Sequence, residues 1–308
     1  MPNAPHWGWY IILYFFIGGI ASGMYVIGTL ASLGGDPRDR SITRFAYLAV
    51  FPLVLLCGFL LIIDLGQPLR FWHMLIQSER LPLPVLKYWV PMSIGSWVLT
   101  VFGLFAFTAF LSALVDSGRL TNQRAVRVVG WARSLPRALR FTWTLGGMLF
   151  ALFFGGYTGV LLVGTNVALW HHAQLLGAVF MLSAASTAYA LLIFVLRRRG
   201  EAESTSSIRK LEVADRTVII MELVAIVVML VMLGSVARPL ITGGFGVLFW
   251  VGVIGVGLLF PLVLPYLRSS AFTARPLLGA SCVLFGGLLL RFVVIMAPQW
   301  PNIALWRL

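Results

Sequence analysis

Charged side chains are scarce in this sequence of 308 residues. Asp, Glu, Lys and Arg together make up 11% of it, whereas they account for about a quarter of a typical soluble domain. Apolar residues make up 60% and form repeated runs of about 20 residues, the length that crosses a hydrocarbon core as a helix. We therefore predict an all-α integral membrane protein, because the strands of membrane barrels give short alternating segments instead.

Cysteine and histidine are also rare, which argues against a redox metal centre. Cys57 and Cys282 lie apart in apolar runs, and an iron–sulfur cluster normally needs four thiolates. A transmembrane haem needs two facing ligands, but the four histidines lie at the ends of apolar runs or in short connections. The sequence also lacks P-loop, dinucleotide-binding and zinc motifs. We expect no metal and no haem in this chain.

Eight apolar runs are predicted to span the membrane. They cover approximately residues 8–33, 45–65, 90–115, 141–164, 169–196, 217–237, 245–267 and 276–297. The connections after the odd-numbered runs carry 17 of the 23 Lys and Arg residues. Because such residues concentrate on the cytoplasmic side, both termini should face outward, which is into the periplasm if the source is a Gram-negative bacterium. The expected location is the cell inner (cytoplasmic) membrane. The net charge of +13 arises in these loops, so no nucleic-acid partner is expected.

Three charged side chains lie within or at the edge of the predicted spans, where charge is costly and often functional. Asp64 ends the second run, where the helix dipole and partial burial both disfavour the charged form. It could exchange a proton, although a pair with Arg70 or a simple interfacial position explains it equally well. For Glu222 and Arg291, a packing hydrogen bond and a structural clamp are the favoured roles, with a proton path as the alternative.

Several aromatic and polar residues are predicted to share the outer half of the membrane with Asp64, because of the directions of their spans. Phenolic donors, a carboxylate and aromatic walls suit a flat carbonyl compound dissolved in the bilayer, namely a quinone. Glycines beside the tyrosine of span 4 would let a flat ligand or another backbone approach it. The alternative is an aromatic belt at the membrane interface. The candidate quinone-binding residues are Tyr14, Asp64, Trp72, His73, Tyr157 and Gly159.

The outward connection, residues 66–89, is aromatic and apolar with sparse charge. It is typical of a segment that lies against the membrane or against a docked partner. With its RFWHM cluster, this connection should close the site and help to form a docking surface.

Six segments, taken in order along the chain, resemble a known family. They are WYIILYFFIGGIASG at 9–23, DLGQPLRFWHML at 64–75, GGYTGVLLVG at 155–164, MEL at 221–223, FWVGVIGVGLLFPLVL at 249–264 and LRFVVIMAPQ at 290–299. Each segment alone is a weak signal, because it consists largely of glycine and aliphatic residues. Their order and spacing together resemble the NrfD/PsrC family. These are the membrane subunits of polysulfide reductase and of the formate-dependent nitrite reductase pathway. The resemblance covers almost the whole chain.

The resemblance implies two four-helix bundles, residues 1–165 with the quinone site and residues 166–308. It implies a subunit that has no redox centre and binds a quinone, either menaquinone or ubiquinone. Electrons would pass to or from a ferredoxin-like iron–sulfur subunit and then a catalytic subunit, often a molybdopterin enzyme. Tyr14, Asp64 and Tyr157 match quinone-site positions of polysulfide reductase. Ile12 departs from the pattern, since it stands where that enzyme has a polar asparagine.

Two other functions are compatible with the residues. A secondary transporter would fit eight glycine-rich spans with buried charges, although the sequence shows no clear inverted repeat and no pair of centrally broken runs. A purely structural anchor would hold a partner without binding quinone. In that case Tyr157→Phe and Asp64→Asn complexes would assemble and turn over normally.

Overall fold

The structure, a computed structural model, describes residues 7–76, 90–199, 205–266 and 275–299. Within these residues there is no β-strand, and eight helical segments are long and apolar enough to cross a membrane. We number them spans 1 to 8: Trp9–Gly34, Pro37–Asp64, Pro91–Asp116, Arg137–Val163, Leu176–Arg199, Ser207–Ile241, Gly243–Tyr266 and Pro276–Met296. The predicted all-α fold with eight spans is confirmed. Span 6 begins ten residues earlier than predicted, because its first turns are too polar to stand out as an apolar run.

Three of the spans are not single regular α-helices. Span 2 consists of a 3₁₀ turn, Pro37–Asp39, and the α-helix Arg40–Asp64, and its first turn is capped by the Asp36 side chain, which accepts from the Arg38 amide at 3.0 Å. Span 6 contains most of the α-helix Thr205–Leu233, followed by a 3₁₀ turn, Gly234–Ala237, and a last turn, Arg238–Ile241. Span 7 contains the helices Gly243–Val247, Leu248–Leu259 in π geometry, Phe260–Val263 and the 3₁₀ turn Leu264–Tyr266. Pro261 lacks an amide hydrogen and so cannot complete a regular α-helical ladder there.

Span 1 is the central element of the packing. It contacts spans 2, 4, 5 and 8, while span 3 packs against spans 2 and 4. Span 5 contacts spans 4, 6 and 8, and span 7 packs mainly on span 8. Small residues allow these close approaches: a Cβ on Gly23 would lie 2.6 Å from the carbonyl oxygen of Ala184 in span 5. The division into two bundles at residue 165 and the outward orientation of the termini stay predictions.

Polar contacts fasten the two ends of the helix assembly. At the end where the arginine-rich loops lie, called the basic end below, Lys210 Nζ is 2.8 Å from Asp36 Oδ2 and 3.0 Å from Asp39 Oδ2. The hydrogen bond from Lys210 lowers the pKa of Asp36. At the opposite end, Gln299 donates to the carbonyl of Trp7 and accepts from its amide. These contacts join the first and second halves of the chain.

The arginine-rich loop between spans 3 and 4 contains a helix, Gln123–Ser134, that was not predicted from the sequence. The Asn122 side chain caps it by accepting from the Arg124 amide at 2.9 Å, and Val129 packs against the protein. An ion pair of 2.6 Å between Arg133 and Asp116 ties it to the end of span 3.

Candidate functional site

A cavity of about 820 Å³ lies among spans 1 to 4, and we call it the tyrosine cavity. Most of its wall is aliphatic or aromatic, and Asp64 is the one carboxylate among the described residues that line it. Span 1 and the residues before it contribute Trp7, Ile11 and Tyr14. Span 2 contributes Phe51, Val54, Leu55, Gly58, Phe59, Leu61, Ile62 and Asp64. The remaining wall is formed by Leu65, Phe71, Met74 and Leu75, by Met92, Gly95, Ser96, Leu99, Thr100, Gly103, Leu104 and Phe107 of span 3, and by Tyr157 and Leu161 of span 4.

The polar groups of this cavity lie near one end of their spans. Tyr14 is the sixth residue of span 1, Asp64 is the last of span 2 and Tyr157 lies six residues before the end of span 4. The arginine-rich loops lie at the other ends of the same helices. The end that contains the cavity is called the cavity end below. Under the predicted orientation, which stays a prediction, the cavity end would be the outward face.

Tyr14 is a buried phenol on the cavity wall. It is 3% exposed and packs against Phe15 and Phe154, with ring centroids 5.5 and 6.1 Å away. No hydrogen bond joins its hydroxyl to any of the described residues, although it lines the cavity. A buried hydroxyl of this kind has a donor available for a ligand carbonyl.

Tyr157 reaches across from span 4 to span 3. Its hydroxyl donates to the carbonyl of Pro91, the first residue of span 3, whose first carbonyls lie at the cavity end. Gly95 makes room for the ring, since a Cβ there would lie 2.5 Å from Tyr157 Cε1. Tyr157 therefore shapes the wall between spans 3 and 4, and Gly95 is a site residue that sequence reasoning missed.

Asp64 lies where span 2 ends, at the membrane-surface side of the cavity. The helix stops there because Gly66 adopts φ +66°, a left-handed conformation that glycine tolerates. Within the described residues no ion pair or hydrogen bond engages the Asp64 carboxylate, so it is not paired with Arg70. Its side chain is exposed at one side and lines the cavity at the other.

The segment after Asp64 forms a 3₁₀ helix, Pro68–Met74, that covers the cavity end. Phe71 and Met74 line the cavity. The segment is fastened to span 3 by two side chains that sequence reasoning also missed. Ser93 Oγ donates to the Met74 carbonyl at 2.9 Å, and Trp97 Nε1 donates to the Leu75 carbonyl at 3.1 Å.

Trp72 and His73 stack on each other, with ring centroids 3.7 Å apart. They lie in the 3₁₀ segment but are not among the residues that line the cavity. Their proposed contact with a ligand stays a prediction. The rest of the predicted outward connection, residues 77–89, lies outside the described residues.

Gly159 faces a neighbouring helix. A Cβ on it would lie 2.6 Å from the Cα of Gly177 in span 5, and it is not among the cavity-lining residues. The sequence left open whether the glycines near Tyr157 admit a ligand or another backbone. At Gly159 the neighbour is a backbone.

Gly159→Ala is expected to lower the free energy of unfolding by about 1–3 kcal/mol, because the added methyl forces two helix backbones apart. Unfolding of the purified protein in detergent measures this change. Gly130→Ala is the control, since an added Cβ there meets nothing within 4 Å. Wild-type stability of the Gly159 variant would contradict the packing role.

Glu222 and Arg291 lie in a separate buried cluster between spans 5, 6 and 8. Glu222 Oε2 accepts from Ser186 Oγ at 2.9 Å, and Arg291 Nη1 donates to Ser183 Oγ at 2.8 Å. Ser183 and Ser186 lie one turn apart on span 5, so this span connects the two charged groups. Arg291 donates in addition to the carbonyls of Gly287 at 2.8 Å and of Phe15 and Phe180 at 3.4 Å. The cluster thus clamps spans 1, 5, 6 and 8 together, and it does not line the tyrosine cavity.

The family model for "Polysulphide reductase, NrfD" matches residues 1–301, so the chain belongs to the NrfD family of membrane subunits. The family resemblance inferred from the sequence is thereby confirmed. A polysulfide reductase polypeptide of Wolinella succinogenes is 29% identical over 320 residues, which cover 96% of this chain and 95% of the relative. Protein NrfD of Escherichia coli is 27% identical over 314 residues, 95% of each chain. A selenate reductase subunit of Mesobacillus selenatarsenatis is 21% identical over 341 residues, 98% of this chain and 77% of the relative.

Proposed function

We propose that this chain is the quinone-reactive membrane subunit of an oxidoreductase complex. The observation that carries the proposal is the tyrosine cavity, a largely apolar space of about 820 Å³ with Tyr14 and Asp64 on its wall. Small-molecule sites usually measure about 300–1,000 Å³ and combine apolar walls with a few polar groups. Membership of a family that includes subunits of polysulfide and selenate reductases supports the same function.

The cavity residues suit distinct tasks toward a quinone. The Tyr14 hydroxyl would donate to a ring carbonyl, because none of the described residues engages it. The Asp64 carboxylate would hold or release a proton between the cavity and water at the cavity end. Phe71 and Met74 would limit access of water from that side. A bound quinone, menaquinone or ubiquinone, would supply the redox chemistry that the chain's own side chains lack.

The lipid-facing wall supports entry of the ligand from the bilayer. Leu55 and Phe59 of span 2 and Leu104 of span 3 line the cavity, yet each remains 57–59% exposed. These side chains lie on the outer surface of the helix assembly, where lipid would contact them. The cavity is therefore open to lipid between spans 2 and 3. A quinone dissolved in lipid could enter there without crossing water.

The partners we propose are a ferredoxin-like iron–sulfur subunit and a catalytic subunit of molybdopterin type, by analogy with the family. The exposed apolar side chains of the 3₁₀ segment, Leu69, Phe71 and Trp72, offer a docking surface next to the cavity. Gentle purification from native membranes, with an iron count on the same sample, tests this. We expect both partners and iron. A chain that arrives alone and free of iron, under conditions that keep related complexes intact, would favour the transporter alternative.

Tyr14→Phe is expected to weaken binding of a quinone analogue by about two- to tenfold, which corresponds to one net hydrogen bond of about 0.5–1.5 kcal/mol. The dissociation constant of the purified complex for the analogue measures the loss. Tyr25→Phe is the matched control: Tyr25 is also 3% exposed on span 1, but it packs against Tyr47 and Phe102 and lies outside the cavity lining. Equal affinities of the Tyr14 variant and the wild type would contradict the assigned contact.

A further inference from the structure

The helix Gln123–Ser134, called the loop helix below, takes part in none of the functions described above. It lies at the basic end, in the connection between spans 3 and 4. Residues 117–140, which include it, contain six arginines and no Asp or Glu. The connection is therefore strongly positive and has no acidic residue of its own to balance that charge.

The loop helix is held at the level where the membrane spans end. Its Arg133 forms an ion pair of 2.6 Å with Asp116, the last residue of span 3, and Val129 is buried against the protein. Span 4 begins three residues after the loop helix, and Leu139 and Phe141 in its first turns are exposed. Because exposed apolar side chains of a membrane span face lipid, the hydrocarbon core begins close to the loop helix.

One face of the loop helix combines arginines with exposed apolar side chains. Successive residues of an α-helix are about 100° apart, so Arg127 and Trp131, each two residues from buried Val129, point away from the protein. Arg124 and Val128 lie beside these two, because residues three apart on a helix are neighbours. Trp131 is 67% exposed, and the other three residues of this face are exposed as well. Within the described residues no ion pair engages Arg124 or Arg127.

This mixture of charge and apolar surface restricts what the ligand can be. Guanidinium groups favour phosphate, which they bind through paired hydrogen bonds. A free phosphate ion would leave Val128 and Trp131 exposed to water beside the membrane. The phosphate of a phospholipid brings acyl chains with it, and tryptophan is enriched at the level of the headgroups. Helices with arginines and an exposed aromatic side chain are typical of segments that lie in this interface, so a phospholipid matches both parts of the face.

We propose that the loop helix lies in the membrane interface at the basic end and binds the headgroup of an anionic phospholipid. Arg124 and Arg127 contact the phosphate and attract the net negative charge of the lipid. Val128 and Trp131 contact the upper parts of the acyl chains. The ion pair to span 3 holds this face in place. The proposal goes beyond the quinone site and does not rest on it.

Fluorescence quenching by spin-labelled lipids tests the proposal. The variant Gly130→Cys carries a bimane label on the loop helix, at a position where an added Cβ meets nothing within 4 Å. The labelled protein, with any subunits that copurify, is placed in phosphatidylcholine vesicles that contain either doxyl-labelled phosphatidylglycerol or doxyl-labelled phosphatidylcholine. Unsubstituted protein treated in the same way gives the background from Cys57 and Cys282. We expect half-maximal quenching at a mole fraction of phosphatidylglycerol about five- to twenty-fivefold lower, because each arginine near charged lipid contributes about a fivefold factor.

Two double variants of the labelled protein locate the binding residues. Arg124→Gln with Arg127→Gln should remove the preference for phosphatidylglycerol. The helix cap remains, because it uses only the backbone amide of Arg124. Arg40→Gln with Arg209→Gln is the control, since it removes two exposed arginines elsewhere at the basic end and should keep the preference.

Salt gives a second measurement that needs no arginine variant. A concentration of about 1 M should abolish the preference, because the screening length there is about 3 Å. Four results would overturn the proposal: equal quenching by the two lipids, a preference that salt leaves unchanged, an equal loss of preference in the two double variants, or no quenching by either lipid. The last result would show that the loop helix lies away from the membrane, in water or against another protein.

Discussion

Asp64→Asn is expected to slow quinone-linked turnover of the complex by about 10²- to 10⁴-fold, the usual contribution of a positioned general acid or base. Asn has nearly the same shape but cannot accept a proton. Among the described residues that line the tyrosine cavity, no second carboxylate could replace Asp64. Turnover of the purified complex with a soluble quinol and an artificial electron acceptor measures the effect.

Two further variants make the Asp64 result specific. Asp64→Glu should recover most of the activity, because it restores a carboxylate at the end of span 2. Asp36→Asn removes a carboxylate at the basic end, where Asp36 bonds Lys210, and it should turn over like the wild type. Full turnover in the Asp64→Asn complex would refute the proton role and favour the structural-anchor alternative.

Arg291→Leu is expected to lower the free energy of unfolding by about 3–5 kcal/mol, since it removes a buried positive charge that acts electrostatically on Glu222 and leaves buried hydrogen-bonding groups unpaired. Arg291 is 1% exposed and also satisfies Ser183 and three backbone carbonyls, so several buried groups lose their partner at once. Denaturant unfolding of the purified protein in detergent gives the value.

A double-mutant cycle separates the charge pairing from the loss of packing. Arg291→Leu combined with Glu222→Gln should be less destabilised than the sum of the two single changes, because the uncompensated charge is gone. Arg133→Leu is the surface control: its ion pair with Asp116 is about half exposed, so the expected change is at most about 1 kcal/mol. Strictly additive effects of Arg291→Leu and Glu222→Gln would contradict the coupling.

The spans were predictable because each apolar run must satisfy its backbone hydrogen bonds internally. The helix Gln123–Ser134 could not be predicted, because its arginines and short length give no signal that distinguishes it from a loop. The π geometry of Leu248–Leu259 was equally out of reach. An apolar run in that geometry has the same composition as an α-helical one.

The candidate site was predictable only in part. The depth of Tyr14, Asp64 and Tyr157 follows from the span directions alone. Contacts between spans do not follow from the span directions. Gly95 and Tyr157, for example, are 62 residues apart, and their contact depends on how the two helices are rotated about their axes. For the same reason, the partners of Arg291 on spans 1 and 5 could not be assigned from the sequence.

Photolabelling with an azidoquinone tests the quinone site most directly. The purified complex is irradiated with the probe, and the modified peptides are located by mass spectrometry, with excess unmodified quinone as competitor. Competed adducts are expected on the cavity-end parts of spans 1 to 4, including the peptides that contain Tyr14 and Tyr157. Competed adducts confined to spans 5 to 8, with none on the residues that line the tyrosine cavity, would contradict the assignment of this cavity as the quinone site.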